Sequence, residues 1–216
     1  MRSKALWGLL LAAAFLAAFA LFANSVQGLL GQVFEGVEPP VDTASAEAHR
    51  LASAAEQQVG VTVSYDASYV QIAYPGGDVP METGVCTDVV VRAMRDMGVD
   101  LQVELHEDMT GHFGEYPDDW GLDEPDSNID HRRVPNLQTF FERSGKSLPV
   151  TDVAADYQPG DIVTWKMSGG RPHTGVVSAK QARHQSRFAI VHNAGRGTVV
   201  EDVLFAFPIT GHYRWF

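Results

Sequence analysis

The order of two hydrophobic patterns along the chain restricts its possible folds more than any other feature. The first half carries apolar residues at helical spacing, as in Val89, Val90, Ala93, Met94 and Met97. From Tyr157 onward, short β-rich runs alternate with glycine-containing turns. Helices followed by a run of antiparallel strands are typical of the α+β class. The sequence therefore predicts helices packed on an antiparallel β-sheet.

Three helices are predicted. The first spans residues 43–58, where apolar residues recur on one helix face, and Gly60 follows its end. The second begins at or just before Cys86 and ends at Gly98. The third begins near Pro135, because proline is favoured in the first turn of a helix.

The segments between these helices lack a helical period. Residues 61–83 contain a Pro-Gly-Gly turn and are predicted to be irregular. The alternation of Leu101, Val103 and Leu105 predicts a short strand. Residues 106–133 are polar and acidic, so the sequence predicts a long loop, which is usually either functional or disordered.

Five short strands are predicted after Tyr157. Turns that contain Gly169-Gly170 and Gly195-Arg196-Gly197 separate some of them. The predicted strands comprise residues 162–165, 173–177, 188–192, 199–200 and 212–215. Their spacing is short enough for an antiparallel sheet with tight connections.

The N-terminus carries the pattern of an export signal. Arg2 and Lys4 precede an apolar run over residues 5–23, and Ala18-Phe19-Ala20 fits a cleavage site. Because the run also approaches the length of a membrane span, it can be a cleaved signal peptide or a retained anchor. We expect residues 1–23 to direct export, residues 24–42 to form a linker, and residues 43–216 to form a domain in the periplasm or another extracytoplasmic space.

Composition excludes some classes of partner. The chain has 216 residues, of which 45% are hydrophobic, so a folded domain with a core is expected. Its formal net charge of -11 argues against nucleic acid and against anionic lipid surfaces. The sequence does not indicate an oligomeric state.

Cys86 is the single cysteine of the chain. Exported proteins meet an oxidising environment, so a lone thiol there is either buried and inert or kept for its reactivity. Its predicted position at a helix N-terminus favours reactivity, because free N–H groups and the helix dipole stabilise a thiolate. The sequence is compatible with a buried, inert Cys86 and with a reactive one.

Two of the eight histidines lie on predicted strands beside apolar residues, and these are His173 and His192. Neighbouring antiparallel strands can bring their rings together. One ring would then act as the base for Cys86 and the other would orient it. The alternative is that each is a buried histidine whose hydrogen bonds are simply satisfied.

Other polar residues give weaker indications of a functional site than Cys86 and the two histidines. His106, Asp108, Asp130 and His131 lack the tight spacing of a metal site, so no metal and no cofactor are expected. Arg132 and Arg133 can bind a substrate carboxylate, or they can form structural salt bridges that hold the loop. Asp88 at the front of the second helix is explained by the helix dipole alone.

Four motifs resemble the NlpC-type cell-wall peptidases, which are papain-like. They are Gly84-Val85-Cys86-Thr87-Asp88, Tyr157-Gln158-Pro159-Gly160-Asp161-Ile162-Val163, His173-Thr174-Gly175-Val176-Val177 and Phe188-Ala189-Ile190-Val191-His192. More closely, the chain resembles a bacterial family known as domain of unknown function 1287. That resemblance includes Asn128-Ile129-Asp130-His131-Arg132-Arg133-Val134-Pro135-Asn136 and covers nearly all of the chain after the signal.

The resemblance implies a papain-like fold and a cysteine hydrolase that uses Cys86 as nucleophile, His173 as base and His192 as orienting residue. The resemblance to domain of unknown function 1287 gives no substrate, and our hypothesis is an amide bond in peptidoglycan stem peptides. The residues around Cys86 depart from the usual Asp-Cys-Ser-Gly, and Tyr74 is a loose counterpart of the tyrosine that assists the oxyanion site. An acyltransferase, or a catalytically silent cell-wall binding or scaffold module, therefore remains an alternative.

Overall fold

The computed structural model describes residues 37–216. The predicted signal peptide or anchor, residues 1–23, lies outside the described residues, as does most of the predicted linker, residues 24–42. Glu38–Phe216 forms one compact unit. No helix in the described part of the chain combines the length and hydrophobicity needed to cross a membrane.

Four α-helices occur within residues 37–216. They are α1 (Ala46–Glu56), α2 (Cys86–Asp96), α3 (Leu101–His112) and α4 (Val134–Arg143). Three of them, α1, α2 and α4, confirm the predicted helices. Ser45 starts α1 because its side-chain oxygen accepts a hydrogen bond from the Ala48 N–H at 3.0 Å. Pro135 occupies the first turn of α4, as predicted.

The predicted strand at Leu101–Leu105 is wrong, because this segment begins helix α3. Asp100 caps the helix by accepting a hydrogen bond from the Gln102 N–H at 3.1 Å. Leu101, Leu105 and Met109 are all buried, and their four-residue spacing places them on one helix face. The apparent alternation was therefore part of a helical stripe.

The predicted loop at residues 106–133 is correspondingly shorter. Helix α3 runs to His112, and the 3₁₀ turn Phe113–Glu115 follows it. A second 3₁₀ turn, Asp130–Arg132, precedes α4. Only the stretch between the two turns lacks helices and strands, so the loop is anchored at both ends.

Five strands form one antiparallel sheet. They are β3 (Ile162–Lys166), β4 (Pro172–Gln181), β5 (Phe188–Asn193), β6 (Thr198–Glu201) and β7 (Ile209–Tyr213), in the spatial order β6-β5-β4-β3-β7. This arrangement confirms the predicted antiparallel sheet and the α+β class. Helix α2 packs on β4 and β5, which places the N-terminus of α2 beside the centre of the sheet.

The segment at residues 61–83 is mostly irregular, as predicted, but it contributes to a two-stranded parallel pair. Strand β1 (Ser64–Tyr65) pairs with β2 (Thr83–Gly84), and Tyr65 lies opposite Gly84. Because Val85 and Cys86 follow β2 directly, this pairing brings Tyr65 close to the start of α2.

The two faces of the sheet are both covered. Ile162, Val176 and Val191 point to the helices and join the core built from α1–α4. The opposite face carries Val163, Trp165, Val177 and Ile190, which pack with Tyr157, Phe188 and Leu204. Burial on both faces fixes the strand register, because a one-residue slip would exchange the two faces.

Candidate active site

Cys86 is the first residue of α2, and only 5% of its surface is exposed. Burial raises the pKa of its thiol to about 11. Hydrogen bonds from backbone N–H groups of Thr174, Thr87 and Cys86 oppose this increase without cancelling it. The predicted stabilisation of a thiolate by the helix N-terminus is thus present, but desolvation outweighs it and favours a neutral thiol.

His173 and His192 lie close together, as the strand pattern predicted. Nε2 of His173 is 2.9 Å from Nδ1 of His192, and the two rings meet nearly edge to face. Nε2 of His192 is in turn 3.1 Å from Oε2 of Glu201. The three side chains therefore form a continuous chain of hydrogen bonds across β4, β5 and β6.

This chain determines which ring nitrogens carry hydrogen. Burial, the largest cause, lowers the pKa of His173 to about 3, and burial also lowers the pKa of His192. Both rings are therefore neutral near pH 7. A carboxylate of Glu201 accepts a hydrogen bond only from a protonated Nε2 of His192. His192 Nδ1 is then an acceptor, His173 Nε2 must donate to it, and His173 Nδ1 keeps a free lone pair.

The sulfur of Cys86 lies against the backbone of β4 at the residue that follows His173. The Thr174 N–H is among the groups that hold down the pKa of the Cys86 thiol, which requires it to lie near the sulfur. No hydrogen bond joins the thiol to the imidazole of His173 among the described residues. Catalytic hydrogen bonds are often long before a substrate is bound, so this spacing is compatible with a later proton transfer.

Gly175 provides the space that brings β4 and β5 together beside the histidines. A Cβ atom at this position would lie 2.7 Å from the Val191 carbonyl oxygen, 2.7 Å from Cγ2 of Ile190 and 3.0 Å from Cβ of His192. A backbone oxygen cannot move aside cheaply, so any larger residue would push the strands apart. Close packing of β4 against β5 therefore requires a glycine at position 175 of the motif that begins at His173.

Arg132 and the residues that follow Cys86 hold the start of α2 in place. Asp88 accepts hydrogen bonds from the Val85 N–H at 2.6 Å and from Nε and Nη2 of Arg132 at 2.9 and 3.0 Å. Thr87 donates to the Arg132 carbonyl oxygen at 2.8 Å. Asp88 thus does more than complement the helix dipole, and two of the departures from Asp-Cys-Ser-Gly, Thr87 and Asp88, have structural roles.

A cleft of about 380 Å³ opens over Cys86. Its lining is largely apolar, with three arginines and no carboxylate, and comprises Tyr65, Ala67, Val85, Cys86, Trp120, Ile129, Arg132, Arg133, Val134, Pro135, Arg171 and Pro172. A groove with apolar walls and a few polar groups is typical of a ligand site.

The structure does not bring Tyr74 to this cleft. Its ring is exposed and packs against His106, with centroids 5.2 Å apart. Tyr65 lines the cleft instead, and its hydroxyl lies near enough for the charge of an ionised Cys86 to contribute to its raised pKa, whose largest cause is desolvation. The parallel pairing of β1 with β2 accounts for this exchange.

The two predicted carboxylate-binding arginines both line the cleft, but both have acidic partners. Arg132 is buried against Asp88. Nη1 of Arg133 lies 2.9 Å from Asp130, and its guanidinium stacks over Trp120 at 4.0 Å from the ring centroid. These contacts correspond to the structural alternative for both residues.

Sequence reasoning missed three residues at the site: Tyr65, Arg171 and Glu201. The position of Glu201 was accessible, because it lies on the strand after the predicted Gly195-Arg196-Gly197 turn. Arg171 precedes His173 by two residues, so both side chains fall on the same side of an extended chain. Nothing local in the sequence marks Tyr65, since its place depends on pairing with a distant strand.

Asn193 does not orient His173. Its amide donates to the carbonyl oxygens of Ser64 and Gly84, at 3.2 and 3.0 Å, and so ties β5 to the segment before Cys86. Across the described residues, no group of three or more histidine, cysteine or acidic side chains is arranged to hold a metal. Asp108 is engaged by Arg143 and Tyr116.

The fold and the site define an α+β protein in which a cysteine at a helix N-terminus adjoins a buried histidine pair on an antiparallel sheet. Residues 52–215 match the family described as Domain of unknown function (DUF1287), and the chain belongs to this family. The predicted resemblance to that family is therefore confirmed.

The chain is similar to two known proteins. The uncharacterized protein YijF of Escherichia coli (strain K12) is 54% identical over 166 residues, which cover 77% of this chain and 80% of that relative. A solved structure, NlpC1 from Trichomonas vaginalis, is similar with a TM-score of 0.41 and 13% identity. The match covers 81% of this chain and 46% of NlpC1, so this chain spans less than half of that protein.

Proposed function

We propose that this protein is a cysteine hydrolase that cleaves an amide bond, with Cys86 as nucleophile, His173 as base and His192 as orienting residue. The observation that carries the proposal is the hydrogen-bond chain from His173 through His192 to Glu201. It leaves the lone pair of His173 Nδ1 available, next to the strand residue that contacts the Cys86 sulfur. A cysteine, an adjacent base and a third group that orients the base form the usual machinery of nucleophilic catalysis.

The reaction starts from a neutral thiol and a neutral imidazole. As the sulfur attacks the substrate carbonyl carbon, the thiol proton moves to Nδ1 of His173. The N–H groups of Cys86 and Thr87 lie in the first turn of α2, where no backbone carbonyl of the helix accepts from them, and can donate to the oxyanion. His173 then returns the proton to the departing amine, which leaves a thioester on Cys86.

Water completes the cycle. His173 Nδ1 accepts a proton from the attacking water, the carbon–sulfur bond breaks, and the sulfur regains a proton as the carboxylic acid departs. His192 and Glu201 keep the protonated His173 oriented throughout, because His173 Nε2 donates to His192 Nδ1 in both protonation states of His173. An amine acceptor in place of water would use the same residues and give an acyltransferase.

The proposed substrate is a peptide of peptidoglycan, and the proposed location is the periplasm or another extracytoplasmic space. Support comes from the sequence resemblance to NlpC-type cell-wall peptidases and from the export pattern over residues 1–23. The apolar cleft over Cys86 has room for a short peptide segment.

A catalytically silent cell-wall binding module is the second candidate. The observation that favours it is the pKa of Cys86, which burial raises to about 11, since an inert buried cysteine has the same property. Against it stands the histidine chain, which a scaffold would not need.

The test is digestion of purified peptidoglycan by the full chain, with products identified by mass spectrometry. The wild type is compared with Cys86→Ala, with His173→Ala and with His184→Ala, the last being an exposed histidine in the turn between β4 and β5. The hydrolase proposal requires new fragments from the wild type and from His184→Ala alone. Equal products from the wild type and Cys86→Ala would contradict it.

A further inference from the structure

The charge of the cleft over Cys86 is opposite to that of the chain. The sequence contains 27 acidic and 16 basic residues, whereas the lining of the cleft contains three arginines and no acidic residue. A cationic groove on an anionic protein attracts anionic ligands locally while the remaining surface repels them.

Two of these three arginines already have anionic partners inside the protein. Arg132 makes a bidentate pair with Asp88, and both side chains are buried. Arg133 pairs with Asp130, whose side chain is 1% exposed. Their charges are thus balanced without a ligand, and the Arg133 guanidinium is also stacked on Trp120, so neither presents an unpaired charge to a substrate.

Arg171 differs from both. It is exposed, it lines the cleft, and its guanidinium makes no ion pair or hydrogen bond with the part of the chain that the structure describes. Its positive charge contributes to lowering the pKa of His173 and opposes the rise in the pKa of Tyr65, so it lies close enough to act on both side chains. An unbalanced cation therefore lies beside the proposed reaction centre.

The distance along the strand limits what Arg171 can reach. It precedes His173 by two residues of extended chain, or about 7 Å, and the two side chains share one side of the backbone. A guanidinium extends several ångströms from its Cα and offers paired N–H groups to a carboxylate. It can therefore reach a group about one residue from the bond under attack.

We propose that Arg171 binds a carboxylate of the substrate and that the protein selects peptides with an acidic group about one residue from the cleaved amide bond. This inference rests on the proposed function, because it takes Cys86 as the point of attack. It assigns the carboxylate to Arg171 rather than to Arg132 or Arg133, whose charges serve the fold.

The experiment uses two alkylating reagents of nearly equal size, iodoacetylglycine with a carboxylate one residue from the reacting carbon and iodoacetylglycinamide with a neutral amide at the same place. In both reactions the Cys86 sulfur forms a bond to the reagent CH₂ group and iodide leaves. Rates are measured at about pH 9, where a buried thiol still ionises enough to react. We expect Arg171→Gln to lower the ratio of the iodoacetylglycine rate to the iodoacetylglycinamide rate about fivefold, in the range of an exposed ion pair.

Two variants serve as controls. Arg171→Lys keeps the charge and should retain most of the ratio, whereas Arg183→Gln removes an exposed arginine in the turn between β4 and β5 and should not change it. An equal fall in both rates in Arg171→Gln would overturn the proposal, because it would show an effect on the thiol or on His173 rather than on the carboxylate. An unchanged ratio would overturn it as well.

If neither reagent modifies Cys86, the proposed nucleophile fails, and the carboxylate site is then decided without chemistry. Cys86→Ala protein is titrated with N-acetylglutamate and with N-acetylglutamine, and binding is followed by NMR. Stronger binding of the glutamate derivative that Arg171→Gln removes would support the site. Equal binding of the two compounds would overturn it.

Discussion

Nε2 of His192 lies 3.1 Å from Oε2 of Glu201. This contact sets the tautomer of His192 and, through it, the tautomer of His173. If His192 instead carried hydrogen on Nδ1, it would donate to His173 Nε2, and His173 would then hold its own hydrogen on Nδ1. In that state His173 could not accept the proton of Cys86. Glu201 thus controls the tautomer of the proposed base, His173, through two successive hydrogen bonds.

Removal of Glu201 should release this control. In Glu201→Ala, we expect both tautomers of His192 to be populated and amide hydrolysis to fall about tenfold, because one hydrogen bond to a charged group is lost. Glu201→Gln should retain more activity, since its amide oxygen can still accept from Nε2. The ¹⁵N chemical shifts of the His173 and His192 rings measure the tautomers directly and do not depend on activity. Unchanged tautomers in Glu201→Ala would contradict the assigned role.

The reactivity of Cys86 should rise steeply with pH. Because burial raises the pKa of the thiol to about 11, the thiolate is scarce at neutral pH, and its fraction grows about tenfold per pH unit up to that pKa. We expect the rate of alkylation by iodoacetamide to follow this slope, whereas the same chain in urea should level off near the ordinary thiol pKa. A rate that is already constant between pH 6 and pH 8, roughly the physiological range, would instead indicate a preformed thiolate–imidazolium pair.

Removal of one partner of the buried ion pair between Arg132 and Asp88 should lower the free energy of unfolding, because the other partner would remain buried without a counter-charge. Arg132→Met leaves the carboxylate of Asp88 buried without a counter-charge, which costs about 3–5 kcal/mol of unfolding free energy. Adding Asp88→Asn to that variant removes the unpaired charge and keeps an oxygen for the Val85 N–H, so stability should partly recover.

Urea denaturation measures these free energies. The matched control is Arg187→Met, which breaks a partly exposed pair with Asp202 at 2.7 Å and should cost no more than about 1 kcal/mol. Equal losses in Arg132→Met and Arg187→Met would show that the buried pair has no special weight.

Gly175 should not tolerate even one additional carbon. Gly175→Ala places Cβ 2.7 Å from a backbone oxygen of β5, and we expect a loss of about 1–3 kcal/mol of stability. The His173–His192 hydrogen bond should lengthen as the strands separate, which the ring ¹⁵N shifts would report. Gly111→Ala is the control, because a Cβ there has open space around it and alanine favours a helix. A fully stable Gly175→Ala with unchanged shifts would show that β4 and β5 can adjust.

Most of the fold followed from patterns that a short window of sequence contains. The helices at Cys86 and Pro135 and the strands β3 to β6 were predicted, because each combines a clear period with a start or turn signal. The fifth strand was predicted at residues 212–215 but runs over Ile209–Tyr213, so its start was placed three residues too late. The strand predicted from Leu101, Val103 and Leu105 was wrong, because three alternating apolar residues fit part of a helix as well as a strand. Only the continuation to Met109, four residues further on, distinguishes the two.

The proposed site was less predictable because its parts depend on distant pairings. His173 and His192 could be paired from the strand order, and the structure places them in contact. The sequence could not identify Tyr65, rather than Tyr74, as the tyrosine of the cleft, since only the parallel pairing of β1 with β2 brings Tyr65 close to Cys86. The desolvation of Cys86 likewise depends on packing that no sequence pattern records, and it reversed the expected direction of the thiol pKa.

Arg132 also joins the two walls of the cleft. Besides Asp88, its guanidinium contacts the carbonyl oxygens of Asp66 and Ser68, each at 3.4 Å, while its backbone belongs to the opposite wall. Widening the cleft would therefore break both of these hydrogen bonds. The cleft is therefore already formed in the folded protein, so binding of a peptide should cost little additional ordering of the protein. Association should then be limited by diffusion and orientation rather than by an opening step.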